Sequence, residues 1–248
     1  MRKEEQNTAK RIDILGHPVD NLTMEEVIKK IDEFIASENP HRITVTNANK
    51  LYLTDQHPEL LDIVHKSDLV IPEQAIVIAS KLLNRRLKER VSGIELMGRL
   101  LANAPDKNHR IFFLGARQEV VSRLVEVCCE KYEGINIVGY SDGYFSSDEE
   151  AAVVERIKAL QPHILFVALG SPKQEFWIAR RLETLGVPVC IGVGGSFDVL
   201  SGYKKDAPQW TRCGLEWIYR LMQDRRLLKR YAITNPLLMW KIVKATFR

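Results

Sequence analysis

The 248-residue chain is 45% hydrophobic and 27% charged, which suits a globular protein with a sizeable core and excludes disordered and fibrous classes. Its net charge of +4 is uneven: from Leu215 onward eight bases face two acids, a net of +6, leaving −2 for residues 1–214. No apolar run reaches the roughly 18 to 20 residues that span a bilayer, and the N-terminal "MRKEEQNTAKRIDILG" lacks the apolar middle of a signal peptide, so a cytoplasmic protein is expected.

In chain order, short apolar strands alternate with amphipathic helical stretches. A capping box at Thr23-Met24-Glu25-Glu26 opens the first helix. "RITVTN" is followed by one helix through "KLYLTDQHPELLDIVHKS", "DLVI" by a helix from about Ala75, and "RIFFLGA" by "QEVVSRLVEVCCEKY". "INIVGY" precedes a helix capped by Ser147 and Glu150, "ILFVALG" precedes "KQEFWIARRLETL", and "VCIGVGG" closes the series. Each strand is a nearly continuous apolar run, and each helix repeats apolar residues at three- and four-residue steps. The pattern predicts an α/β fold: a Rossmann-like, mostly parallel sheet flanked by helices in residues 1–200, followed by a basic amphipathic helical C-terminal appendage in 201–248.

Cys128, Cys129, Cys190 and Cys213 have no C-x-x-C spacing and read as reduced packing residues. The six histidines form no H-E-x-x-H and no i, i+4 pair, and no D-x-D occurs, so neither a protein-built metal site nor a cofactor is expected. Phosphates, if bound, then fall to basic side chains and backbone amides.

Candidate chemistry gathers at the strand ends. In "DLVIPEQAIV" the carboxylate Glu73 follows a strand and precedes a helix, where it either caps the helix or stands as a general base. Thr46, Asn47 and Asn49 in "RITVTNANKLY" suit sugar hydroxyls or a turn. Arg90 in "LKERVSGIELM" has the fork for a diphosphate, or else pairs with Glu89 or Glu95. In "ALGSPKQEF", Gly170 permits close backbone approach of a ligand, the helix start favours an anion, and Lys173 and Gln174 stand beside it. "GVGGSFDV" offers Gly194, Gly195, Ser196 and Asp198; Phe197 stands where the third glycine of a dinucleotide fingerprint belongs, so a nucleotide-dependent oxidoreductase is a weaker alternative. The tail mixes aromatic and aliphatic residues with arginines and suits an anionic membrane surface; the net-negative body and the lack of a recognised motif argue against nucleic acid.

Together, "ERVSGIELM", "FFLGA", "VGYSDGYF", "FVALGSPKQEFWI" and "GVGGSFDVLSG", followed by "APQW" and "GLEW", resemble the WecG/TagA/CpsF family of bacterial glycosyltransferases over nearly the whole chain. The resemblance implies metal-independent, inverting transfer of a sugar, N-acetylmannosamine in the best-known members, from a UDP donor to the 4-hydroxyl of N-acetylglucosamine on undecaprenyl diphosphate, in teichoic acid or surface polysaccharide synthesis. It implies a protein peripheral on the inner face of the plasma membrane, bound through the C-terminal segment, and in some members an oligomer, for which "SKLLNRRL" is a candidate interface. The family's strand-end residues fall on Thr46 and Asn47, its arginine on Arg90, its glutamine on Gln174, and its tail arginines on Arg220 and Arg230; a third aligns with Leu227, beside which Arg226 stands. Its catalytic aspartate, usually in P-D-G, is replaced by Glu73 in Pro72-Glu73-Gln74. The altered loop leaves open a nucleotide-sugar-binding protein without catalysis.

Overall fold

The computed structural model describes residues 11–208, 211, 216–224 and 227–246. Six parallel strands form the central sheet: β3 (His41–Thr46), β4 (Leu69–Pro72), β5 (Arg110–Gly115), β6 (Asn136–Ser141), β7 (Ile164–Ala168) and β8 (Val189–Gly192), in the order β4-β3-β8-β7-β5-β6. The apolar strands bury both faces in alternation. Ile43, Val45, Ile111, Phe113, Phe166 and Ile191 face a layer made by α1 (Met24–Ser37), α5 (Gly93–Asn103), α6 (Gln118–Lys131) and α9 (Ser196–Leu200). Phe112, Leu114, Leu165, Val167 and Cys190 face α7 (Ser147–Leu160) and α8 (Lys173–Leu185), where Trp177 and Ile178 pack. The expected α/β architecture is therefore observed.

Two local expectations are corrected, and one element was not anticipated. The helix expected after β3 is two helices, α2 (Ala48–Gln56) and α3 (Pro58–His65), because the ring of Pro58 disfavours helical backbone at His57, which sits at φ −132°. The capping box of α7 lies one residue earlier: Ser146 accepts the Glu149 N–H, while Glu150 is drawn away by Arg181 at 2.9 Å. The N-terminal segment forms an unforeseen antiparallel hairpin of β1 (Arg11–Ile14) and β2 (His17–Asp20). Thr23 and Glu26 do cap α1, and Cys128 and Cys190 are buried, with burial pushing both thiols up to about 12. Cys129 is exposed, and Cys213 lies outside the described residues.

The tail contains α10 (Glu216–Gln223) and α11 (Leu227–Thr246). Leu238 and Ile242 of α11 join Ile14, Val19, Leu51, Ile76 and Val77 in a third apolar cluster, packing α11 against α2 and against α4 (Gln74–Leu82). Lys241 reinforces this contact through Asp55 at 2.6 Å. Among the described residues no helix is long and apolar enough to cross a membrane.

Candidate active site

A parallel sheet projects its strand ends, and the helix starts that follow them, to one side of the molecule. The carboxyl ends of β3, β4, β7 and β8 bring together Asn47, Glu73, Gln174 and Gly194, which lie far apart in the sequence.

Glu73 occupies the N-cap position of α4 in extended backbone, yet its side chain makes no capping hydrogen bond. Its Oε2 instead accepts from Asn47 Nδ2 at 2.9 Å, and its backbone N–H donates to the Thr46 carbonyl at 3.0 Å. Asn47 in turn is the N-cap of α2: its Oδ1 takes the Lys50 N–H at 3.0 Å, which fixes the amide so that the NH₂ faces the carboxylate. Beside it, a side chain at Gly93 would begin 3.3 Å from Val45 Cγ2, a tight contact, and 3.9 Å from Glu73 Oε1, an ordinary one, so the start of α5 packs closely on β3 next to the carboxylate. Glu73 is half-buried and retains acceptor capacity beyond its one bond to Asn47.

Thr46 is buried, and its hydroxyl meets His17 Nδ1 at 3.2 Å. His17 Nε2 lies 2.9 Å from Thr54 Oγ1, whose own hydrogen goes to the Leu51 carbonyl. Thr54 must therefore accept from Nε2–H, and Thr46 donates to Nδ1. Burial, aided by the charges of Lys241 and Lys50, lowers the imidazole to about 3, so it stays neutral. Asn49 sits half-buried in the first turn of α2.

Arg90 lies next to the end of β4, where the following Val91 N–H bonds the Pro72 carbonyl. Its Nη2 donates to Glu95 at 2.7 Å, while Glu89 accepts the Met24 N–H at the start of α1. Gly170, at φ +78°, turns the chain out of β7, and its carbonyl accepts the Gln174 N–H at 2.8 Å. Gln174 is buried; its Oε1 accepts from Gly194 N–H at 3.2 Å and its Nε2 donates to Glu175 at 2.9 Å. A Cβ on Gly192 would stand 2.6 Å from that nitrogen, so glycine is required where the amide crosses β8. Gly194, at φ +53°, and Gly195 lead into α9, Ser196 turns its hydroxyl to the Val193 carbonyl at 2.8 Å, and Asp198 pairs with Lys204 at 3.1 Å.

A cavity of about 380 Å³ opens at the ends of β5, β6 and β7, lined by Ala116, Gly143, Tyr144, Phe145, Ala168 and Lys173. Tyr144 is 77% exposed, and the Lys173 ammonium lies 5.6 Å from the Phe145 ring. Arg220 lies in α10, and Arg226 falls outside the described residues. Arg230 is stacked on Tyr231 at 5.0 Å and is joined through that ring to Trp217 of α10. Among the described residues no group of three or more His, Cys, Asp or Glu stands close enough to hold a metal ion.

Sequence reasoning missed Tyr144, His17 and a buried pair, Lys50 with Glu175. The pair left one signal: Lys50 and Thr54 flank Leu51 on the inward face of α2, a place where a lysine is unexpected.

The model for the glycosyl transferase WecG/TagA/CpsF family matches residues 12–248. The chain is 33% identical over 249 residues to the N-acetylglucosaminyldiphosphoundecaprenol N-acetyl-beta-D-mannosaminyltransferase of Staphylococcus aureus strain MW2, spanning 99% of this chain and 97% of that relative. The proteins of the same name from strains NCTC 8325 and MRSA252 are 33% and 32% identical over the same extents.

Proposed function

Because this chain belongs to the WecG/TagA/CpsF family of glycosyl transferases, we propose that it transfers N-acetylmannosamine from a UDP donor to the 4-hydroxyl of N-acetylglucosamine on undecaprenyl diphosphate, with inversion and with Glu73 as base. The observation that carries this reading is the Glu73 carboxylate: it stands at a strand end, is not spent on capping its helix, and is aimed by an asparagine whose own orientation is fixed. The acceptor O4–H gives its proton to Glu73 as O4 forms the bond to the anomeric carbon, and the bond from that carbon to the UDP oxygen breaks on the opposite face. A positioned base contributes ~10²–10⁴ in rate.

The departing diphosphate needs positive charge. Arg90, Arg220, Arg226 and Arg230 are the candidates, and the absence of D-x-D from the sequence favours arginine over a bound cation in this role. Asn47, Asn49 and the glycine loop that Gln174 holds are assigned to the sugar, with Thr46 contributing through its place at the strand end. The cavity beside Tyr144 and Lys173 is of a size for the nucleoside, an exposed ring offering a face for the base and an ammonium near the phosphates.

The acceptor is a lipid, and the tail suits its surface. Met239, Trp240 and Val243 of α11 are half or more exposed, Leu228 and Met222 still more so, and Lys244 stands 4.8 Å over the Trp240 ring. This arrangement supports a peripheral protein on the inner face of the membrane in which residues 201–248 act as an appendage completing the site. A homo-oligomer through "SKLLNRRL" belongs to the same reading; Leu82 there is 50% exposed.

The test offers a panel of UDP-sugars and a short-chain GlcNAc-diphosphate lipid with chelator present, and reads UDP release and product anomeric configuration. Acceptor-dependent release from UDP-N-acetylmannosamine with a β product supports the reading. Tight UDP binding without transfer from any donor replaces it with a nucleotide-sugar-binding protein.

A further inference from the structure

Two charged side chains that the proposed chemistry does not use lie beneath the strand ends. Lys50 of α2 and Glu175 of α8, 125 residues apart, form an ion pair with side-chain exposures of 3% and 4%. Glu175 Oε1 also accepts from Ser171 Oγ at 3.0 Å and Gln174 Nε2 at 2.9 Å, and Lys50 Nζ reaches Ser171 Oγ at 3.4 Å. Glu175 Oε2, equally buried, has no partner among the described residues.

Such a pair is a poor device for stability. Removing two charges from water costs about as much as their attraction returns, and apolar replacements of similar volume are often neutral or stabilising. What the pair does supply is geometry. On one side it holds the Gln174 amide, whose Oε1 receives the Gly194 N–H at 3.2 Å. On the other, the Lys50 side chain pins the first turn of α2, where the Lys50 N–H orients Asn47 and Asn47 orients Glu73. Two hydrogen-bonded groups, one at the carboxylate at the end of β4 and one at the glycine loop after β8, are thus joined through the Lys50 side chain.

We infer that Lys50 and Glu175 are positioning residues that hold the Glu73 carboxylate and the Gly194 backbone in one frame; the catalytic half of this role rests on the assignment of Glu73 as the base. The test replaces both charges at similar volume, Lys50→Met with Glu175→Met. The double variant should unfold within a few degrees of the wild-type temperature, because no buried charge is left unpaired and the loss is confined to the acceptor of the Gln174 amide and the Ser171 hydroxyl. Its Gly194 amide, having lost the held Gln174 carbonyl, should exchange with deuterium at least ~10-fold faster, and kcat should fall about 10- to 100-fold, the scale on which small misplacements act. KM for the lipid acceptor should change less than ~3-fold.

A merely structural pair would lower the melting temperature and leave Gly194 exchange and kcat unchanged in the folded protein; that result overturns the inference. Should the double variant fail to fold, Lys50→Leu with Glu175→Leu, likewise uncharged and without the oxygen that holds Gln174, carries the same readouts, and unchanged Gly194 exchange there overturns it equally. If the wild type transfers from no donor, the functional reading fails, while the exchange measurement still decides whether the pair holds the loop.

Discussion

Gly192→Ala tests how tightly the end of β8 is built around Gln174. The added Cβ would lie 2.6 Å from Gln174 Nε2, 3.1 Å from Cδ and 3.3 Å from Cγ, where ordinary contacts begin near ~3.4 Å, so the amide must retreat by roughly 1 Å. It is not a free side-chain end: Gln174 is 2% exposed and bonded to both Gly194 and Glu175. Overpacking of this kind costs about 1–3 kcal/mol, and each lost hydrogen bond adds ~1 kcal/mol. For a chain of this length, ~1 kcal/mol moves the melting temperature about 2–4 °C, so with one hydrogen bond lost, about 2–4 kcal/mol in all, a fall of about 4–16 °C is expected by differential scanning calorimetry. UDP release should drop with it, because the Gly194 loop moves. In a Gln174→Ala background, where the clashing atoms are gone, the same Gly192→Ala change should cost less than half as much. Gly192→Ala melting with the wild type, or costing as much in the Gln174→Ala background as alone, would refute the packing argument.

Four further outcomes follow from the same geometry. Asn47→Ala removes the cap of α2 and the hydrogen bond to Glu73, so stability should fall ~1 kcal/mol by urea titration while kcat falls by a larger factor than the stability loss explains. His17 is neutral when folded down to about pH 3 but protonates near 6.5 when unfolded; the unfolded chain binds the extra proton between those values, so its contribution is complete above about 6.5 and is lost as pH falls toward 3. Urea titrations across that window should show His17→Gln with a flatter acid slope, by up to ~1.4 kcal/mol per pH unit. Ser146→Ala should cost ~1 kcal/mol and Ser147→Ala much less, measured by thermal melts, because the cap lies at Ser146. Replacing Met239, Trp240 and Val243 together by Ser should reduce sedimentation with anionic vesicles while leaving the melt near wild type, since all three are exposed.

The sheet was legible because each strand buries both faces and so reads as an apolar run, and because the helices between them keep their period. The β1–β2 hairpin was not: its strands are four residues long, carry Pro18 and two aspartates, and gain their burial from α2, α4 and α11, which the local sequence does not announce. The capping box slipped by one residue because Ser146 and Ser147, each followed three residues later by a glutamate, offer the same local chemistry; in the fold Glu149 closes the box and Glu150 pairs with the distant Arg181. At the site, Asn47, Glu73 and Gln174 were visible as polar residues following apolar strands. Their division of labour was not visible: Gln174 is enclosed and acts on the Gly194 backbone, Thr46 serves His17, and the Lys50–Glu175 pair joins elements whose proximity exists only in the fold.

Acceptor-dependent UDP release by Glu73→Gln, compared with wild type at saturating UDP-N-acetylmannosamine and GlcNAc-diphosphate lipid, decides whether Glu73 is the base. The substitution keeps the side chain's size and an oxygen for Asn47 while removing its capacity to take a proton. With Glu73 as base, kcat falls about 10²-fold or more while UDP affinity stays within ~3-fold of wild type. Turnover equal to wild type would remove Glu73 as the base.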